Sequence, residues 1–327
     1  GTRSGGAREG EAGGRELLVV GDLSVLEAVN RKLGIGATLQ RIEDPAGTGG
    51  ARAAGAGAGG GSGQVRVLDL GAVPDAGVVR PGEVSAAAGR AAAAYIERAA
   101  ELARDGLAAG IATAPVNKEA LRAAGYPGTG HTEMLAGLLG TARSVTMFQV
   151  ENLRIFFHSR HLSLRAMLDS LDAAGVEESI AAARACLASI GLESPRLALA
   201  ALNPHASDGG LFGDEEERIL APACAKARER GIDVAGPVPA DSVFNMALEG
   251  RFDAVVSLYH DQGHIAAKTY DFYRTVSVTF GLPVIRTSVD HGTAFDIAWQ
   301  GRADPVSMVE AIGACQELAG RYRPVRW

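Results

Sequence analysis

Short apolar runs recur along the chain, each bounded by turn formers and separated by stretches with helical spacing. The segments 16–22 (ELLVVGD), 66–71 (VRVLDL), 144–150 (SVTMFQV), 153–158 (LRIFFH), 196–202 (RLALAAL), 252–258 (FDAVVSL) and 275–280 (TVSVTF) read as strands. A further apolar run covers 110–115 (GIATAP). Helical spacing covers 24–32, 83–104, 163–172, 175–191, 214–230 and 305–320. Strands alternating with helices of this length predict a mostly parallel sheet covered on both faces, and the chain is long enough for two such α/β layers.

Composition adds limits. With 327 residues and 47% hydrophobic side chains, the chain can bury one large α/β domain or two ordinary ones, which excludes disorder as a whole-chain description. Glycine is concentrated in 1–14, which reads as a flexible head, and in 46–63 (AGTGGARAAGAGAGGGSG), which reads as a flexible insert. Within that insert Gly55-Ala-Gly57-Ala-Gly59-Gly60 formally satisfies a dinucleotide fingerprint, but it follows no strand and opens no helix, so a Rossmann route to NAD is not supported. The net charge is −6 and no basic run is present, which argues against nucleic acid as a partner. Three separated cysteines, Cys186, Cys224 and Cys315, suit buried apolar positions rather than a disulfide framework or a cysteine zinc site. No apolar segment is long enough to span a bilayer or to serve as a signal-peptide core, so the expectation is a soluble, cytoplasmic protein.

The histidines localise the chemistry. All seven lie at or beyond position 131, at the ends of apolar runs and beside turn formers: His131, His158, His161, His205, His260, His264 and His291. In an open α/β sheet such loops form the ligand crevice. Each imidazole alone suits a hydrogen-bonded loop position, whereas several converging would suit a divalent metal with an open position for substrate. The i,i+4 pair His260/His264 also permits a zinc-protease helix, a reading weakened by Gly263 and by Asp261 in place of Glu. Lys118, Lys268, Arg274 and Arg286 are interleaved with these loops and could hold an anionic substrate. Arg286 lies inside the apolar strand-like LPVIRTSV, where an unpaired charge is costly, so it calls for a ligand or an ion pair.

The segments TAPVNK (113–118), GHTE (130–133), HLSLR (161–165), LNPHASDGG (202–210), GPVPADS (236–242), YHDQG (259–263) and GLPVIRTSVDHGTAFDIA (281–298) together resemble the 4-hydroxythreonine-4-phosphate dehydrogenase family. The resemblance covers about 15–327 apart from the glycine-rich insert. It implies a fold like that of isocitrate and isopropylmalate dehydrogenases: two three-layer α/β domains with a cleft between them, in a homodimer whose active sites use both subunits. The implied division is a discontinuous domain, 15–124 with 287–327, and a second domain, 125–286, carrying the metal and dimer contacts. The implied metal ligands fall on His161, His205 and His260, for one divalent ion per subunit (Zn, Mg, Mn or Co). Substrate positions fall on His131, Thr132, Lys268, Ser277 and Arg286, with Lys268 and Asp241 as the groups nearest the chemistry. His158 and His264 stay outside the ligand set. HGTAFDIA is similar to the segment with which isopropylmalate dehydrogenases hold the adenosine end of NAD, which places NAD or NADP on His291, Gly292, Thr293, Ala294 and Asp296. The implied reaction is oxidation with decarboxylation of a small 4-phosphorylated hydroxy acid, of the 4-hydroxy-L-threonine 4-phosphate type used in pyridoxal phosphate biosynthesis.

Two departures from the family pattern matter. Family members open with a strand and a GDPAGIGPE-like loop, whereas GTRSGGAREGEAGG precedes the first strand here; 43–50 (EDPAGTGG) is similar to that loop but follows the first β-α unit, so it reads as an accidental likeness. This leaves a catalytically impaired, phosphometabolite-binding relative as an alternative. Ser277 stands where the biosynthetic enzymes carry a substrate-binding Asn, which points toward the branch acting on D-threonate or D-erythronate 4-phosphate.

Overall fold

The computed structural model of the chain describes residues 16–43, 45, 64–73, 77, 79–127, 130–325 and 327. The expected flexible head 1–14 and the glycine-rich insert 46–63 lie outside the described residues. The chain divides into two compact units at Arg80/Pro81.

The first unit holds β1 (Leu18–Gly21), α1 (Leu23–Leu33), β2 (Thr38–Ile42) and β3 (Gln64–Asp69). They form a parallel three-stranded sheet in the order β1-β3-β2. The buried carboxylate of Asp22 accepts backbone hydrogen bonds from Ala72 (2.9 Å) and Val73, tying the end of β1 to the chain leaving β3.

The second unit carries the remaining elements. These are α2 (Ala86–Arg104), β4 (Gly110–Thr113), α3 (Lys118–Ala123), α4 (His131–Leu138), β5 (Val145–Val150), β6 (Leu153–Phe157), α5 (Leu164–Ser170), α6 (Ala173–Ser189) and β7 (Leu197–Ala200). A π-helical turn, Glu216–Leu220, runs into α7 (Ala221–Glu229), followed by β8 (Val234–Val238), α8 (Ala240–Leu248), β9 (Ala254–Ser257), α9 (His260–Tyr270), β10 (Val276–Phe280), β11 (Ile285–Val289) and α10 (Val306–Ala319). Eight strands form one sheet in the order β4-β11-β10-β5-β6-β9-β7-β8.

The sheet is more mixed than the alternating pattern predicts: four pairings are parallel and three antiparallel. Short connections account for two of these, β5–β6 and β10–β11, since strands joined by a tight turn must run antiparallel. Glu151 (φ 50°) turns β5 into β6, and Gly281 (φ 96°) follows β10, where a Cβ would meet Arg143 O at 2.3 Å. The family-implied boundaries at 124/125 and 286/287 run through this sheet, with β4 at one edge.

The two faces of the sheet differ. Met147, Phe156, Val276, Val278, Phe280, Ile285 and Val289 belong to one continuous apolar core that includes residues of α6, α7 and α10. The other face has two separate apolar clusters. Phe148, Ile155, Ala198 and Val255 pack with Val243 and Ala247 of α8 and Ala267 of α9, while Ile111, Leu282 and Val284 pack with Ile96 of α2 and Leu135 of α4. Alternation along β10 and β11 leaves polar side chains on this second face, where Ser277 opposes Ser288 and Thr279 opposes Arg286. Thr113 of β4 opposes Ser288 on the same face. The result is a polar strip flanked by two apolar clusters. Among the described residues, no helix is long and apolar enough to cross a membrane.

Candidate functional site

Arg286 is the centre of the strip. Its side chain is buried and reaches only hydroxyl groups: Nε and Nη2 donate to Thr113 Oγ1 (3.2 and 2.8 Å), and Nη1 donates to Thr132 Oγ1 (3.1 Å) and Thr279 Oγ1 (3.2 Å). Among the described residues no carboxylate lies within ion-pair distance, and burial pushes the guanidinium pKa down to about 10. Of the two roles open to Arg286, the ion pair is not made among the described residues. A buried cation solvated by hydroxyls alone carries a charge without a counter-ion among the described residues.

The first turn of α4 brings His131 and Thr132 to the same place. Glu133 Oε2 accepts the backbone N–H of Gly130 at 3.0 Å, fixing the start of the helix, and Thr132 then meets Arg286. Burial, with a smaller effect from Arg286, holds the His131 pKa at about 4, so its imidazole is neutral at pH 7. Lys118, the first residue of α3, lies beside this turn, since a Cβ on Gly130 would sit 3.4 Å from Lys118 Cε.

Three adjacent parallel strands, β6, β9 and β7, release the loops that carry His161, His260 and His205. The β6–β9 pairing continues past the strand ends through Ser159 N to Leu258 O (3.1 Å). Gln262 ties the next pair of loops together: its Oε1 accepts from Leu258 N and its Nε2 donates to Ala201 O, both at 2.7 Å. His205 begins a run of left-handed residues, His205, Ala206, Ser207 and Asp208 (φ 54°, 53°, 73° and 45°). Such backbone costs on the order of 1 kcal/mol per non-glycine residue and must be held by its surroundings. Glu216 holds it, accepting from Leu202 N (2.8 Å), Asn203 N (2.7 Å) and Asn203 Nδ2 (2.8 Å).

His260 opens α9, and its Nδ1 lies 2.7 Å from Asp261 Oδ1, leaving Nε2 outward. His264 is a packing residue instead. It is buried, stacks on His260 at 3.6 Å, packs edge-on to Phe148, and its Nδ1 donates to His260 O at 2.8 Å. The i,i+4 pair is thus helical, but one ring lies beneath the other, so the two cannot jointly present nitrogens as in a zinc-protease helix. Gly263 allows this seating: a Cβ there would fall 2.6 Å from Phe157 Cε1 and 2.7 Å from Ser257 Oγ. His158 is likewise held by structure, its Nδ1 2.9 Å from Ser179 Oγ.

His161 and His205 are exposed, and among the described residues no three His, Cys, Asp or Glu side chains form a ready metal-ligating group. The donor set fits a metal in kind, three imidazoles on adjacent loops, and is not assembled. Lys268 Nζ is held by Asp290, to Oδ2 at 2.7 Å and to the carbonyl at 3.1 Å. Ser277 is half-buried in the strip, whereas Asp241 is exposed in the first turn of α8. The segment 291–296 is an open loop: His291 is exposed with Nδ1 2.9 Å from Gly292 O, Gly292 is exposed, Thr293 is half-buried, Ala294 is left-handed (φ 46°), and the Asp296 carboxylate is exposed.

Arg160 has no counterpart in the sequence-derived site. It is half-buried beside His161; burial is the main cause that lowers the pKa values of His161 and Arg286, and the positive charge of Arg160 adds to the lowering in both. Its placement between two histidines that read as loop residues hid it.

Fold and site together define an α/β protein with a buried arginine set among threonine hydroxyls. The chain belongs to the PdxA family, described as pyridoxal phosphate biosynthetic protein PdxA, whose sequence profile matches residues 14–315. It is 48% identical over 309 residues to the "Putative D-threonate 4-phosphate dehydrogenase" of Symbiobacterium thermophilum, covering 94% of this chain and 89% of that protein. A protein of the same name from Cutibacterium acnes is 51% identical over 261 residues, covering 80% of this chain and 75% of the relative. The crystal structure of 4-hydroxythreonine-4-phosphate dehydrogenase from Klebsiella pneumoniae superposes with a TM-score of 0.82 at 44% identity, covering 95% of this chain and 91% of that one. The family expected from the motifs is the family found, and the chain is a dehydrogenase-type oxidoreductase with the corresponding α/β fold.

Proposed function

We propose that the chain oxidises and decarboxylates a 4-phosphorylated four-carbon hydroxy acid with NAD or NADP, and that D-threonate or D-erythronate 4-phosphate is its substrate in preference to 4-hydroxy-L-threonine 4-phosphate. The observation that carries the reading is Arg286, a buried cation whose side chain meets hydroxyls alone. Ser277, a hydroxyl in place of the amide of the biosynthetic enzymes, and the names of the relatives in Symbiobacterium and Cutibacterium favour the sugar acid.

Arg286 and Thr132 hold the phosphate end, with the neutral His131 beside them as a hydrogen-bonding group. Lys268, oriented by Asp290, faces the reacting carbons, and Asp241 stands at the rim. The 291–296 loop receives the nucleotide: its exposed Asp296 suits ribose hydroxyls and its open backbone suits the adenosine end. With the chain so aligned, the C3–H bond breaks, its hydride passes to the nicotinamide and the hydroxyl proton leaves. In the resulting β-keto acid the C–C bond to the carboxylate breaks, CO2 departs, and the electron pair forms an enolate that takes up a proton from the Lys268 ammonium. The product is a phosphorylated three-carbon hydroxyketone. A divalent ion (Zn, Mg, Mn or Co) on His161, His205 and His260 would, when bound, acidify the hydroxyl and offset the enolate charge.

A second copy of the chain belongs to this reading as well. Leu162 and Leu164, 53% and 59% exposed, follow His161, and a homodimer that covered them would also draw the open histidine cluster together. Purified protein supplied with NAD or NADP, a divalent ion and each of the three acids tests the proposal. Reduced nucleotide with a sugar-acid phosphate supports it; binding of that acid without reduced nucleotide makes the chain a non-catalytic relative. His205→Ala should lose bound metal and turnover, and unchanged metal content would show the ligand set to be wrong.

A further inference from the structure

Arg160 is a second guanidinium in the same site, and the groups that would ordinarily neutralise it are already engaged. Its two electrostatically significant carboxylates are Glu133 and Asp290. Glu133 is bonded to Gly130 N, Asp290 is paired with Lys268, and neither lies within ion-pair distance of Arg160. Among the described residues the Arg160 side chain makes no hydrogen bond or ion pair, although it is half-buried and its pKa is lowered, chiefly by burial. It also lines a cavity of ≈ 240 Å³ with Leu162, Leu164, Tyr259, His260 and Asp261.

Arg286 and Arg160 differ in surroundings. Arg286 is enclosed by three threonine hydroxyls, a setting that supplies additional bonds to a many-oxygened anion such as a phosphate monoester. Arg160 has no hydroxyl shell, its planar fork is free, and it opens on a cavity beside His260, which suits the two coplanar oxygens of a carboxylate. Like charges this close repel unless each meets an anion of its own, and a 4-phosphorylated acid carries one at either end.

We propose that Arg160 is the carboxylate-binding residue of this site, so that the chain grips its substrate at both ends, phosphate at Arg286 and carboxylate at Arg160. The inference rests on the proposed function and deepens it. It makes Arg160 a specificity residue that rejects phosphorylated alcohols lacking the acid group.

The test uses the metal-loaded protein with D-threonate 4-phosphate and with the phosphorylated tetritol in which the carboxylate is replaced by CH2OH. Arg160→Gln should raise the KM for the acid about ten- to a hundredfold, the range for loss of a charge-assisted pair, and change the inhibition constant of the tetritol phosphate less than twofold. Arg160→Lys should recover part of the affinity for the acid, and Arg286→Gln should weaken both compounds together. Equal weakening of acid and tetritol phosphate by Arg160→Gln would assign Arg160 to the phosphate and overturn the inference; so would no change for either. If wild-type protein binds neither compound, the function and this inference fail together, whereas binding of both with no discrimination by Arg160→Gln sinks the inference alone. A melting temperature within a few degrees of wild type excludes misfolding as the cause.

Discussion

Replacing Arg286 by Met separates a ligand-binding arginine from a structural one. Burial lowers the guanidinium pKa from 12.5 to about 10, a penalty on the charged form of about 3 kcal/mol. Removing the side chain removes that penalty and leaves the hydroxyls of Thr113, Thr132 and Thr279 without their donor, at about 1 kcal/mol each. The two effects offset, so the variant should unfold within about 1–2 kcal/mol of wild type in phosphate-free buffer. Breaking a buried ion pair would instead cost roughly 3–5 kcal/mol, because a carboxylate would be stranded. The assay is denaturant unfolding with and without inorganic phosphate. At a hundredfold excess over its dissociation constant, phosphate should stabilise wild type by about 2.7 kcal/mol and the variant not at all. A loss of several kcal/mol in phosphate-free buffer, with phosphate stabilisation retained, would refute the view of Arg286 as an anion-binding group with no carboxylate partner among the described residues.

Gly263→Ala should cost about 1–3 kcal/mol of stability, because its Cβ would lie 2.6–2.8 Å from Phe157, Ser257 and Ile155 and lift α9 from the sheet. Nucleotide reduction should fall as well, since His260 and Lys268 ride on that helix; wild-type stability and rate would show that α9 is not seated as described. For His131 the pKa is lowered to about 4 from 6.5. Between those values the unfolded chain binds more protons than the folded one, so its contribution to stability rises with pH, being lost as pH falls from 6.5 toward 4. His131→Asn should flatten the stability profile in that window, and an unchanged slope in urea titrations across it would contradict the burial assigned to His131. Glu216→Gln, which removes one of the acceptor oxygens fastening the left-handed loop, should lower turnover more than stability, as compared by kcat and by melting temperature.

The sheet was legible wherever side chains alternate or run apolar. TVSVTF and LPVIRTSV already contain the division of the sheet faces, apolar toward α10 and polar toward the site. What the pattern hid were short elements whose stability comes from packing: β2 and β8 at sheet edges, and α3, α4, α8 and α9. In α9 the glycine that reads as a helix breaker is the residue that lets the helix sit against β6 and β9. The candidate site was legible as a set of polar groups at the ends of apolar runs, because charge inside an apolar strand is rare enough to demand a reason. Arg160 was not, since its meaning depends on Glu133 and Asp290 being engaged elsewhere, a relation between residues distant in sequence. The resemblance already left His264 outside the ligand set; the physical reason, its stacking on His260 and its contact with Phe148, needed the structure.

Oxidation and loss of the carboxylate are coupled in the proposed reaction, and isotopic labelling follows both events at once. D-threonate 4-phosphate labelled in its carboxylate carbon is mixed with metal-loaded protein and NAD or NADP, and reduced nucleotide and labelled CO2 are followed together. Equal amounts of both are expected, with the label absent from the phosphorylated product. Reduced nucleotide with the label retained in a phosphorylated acid would contradict this coupling.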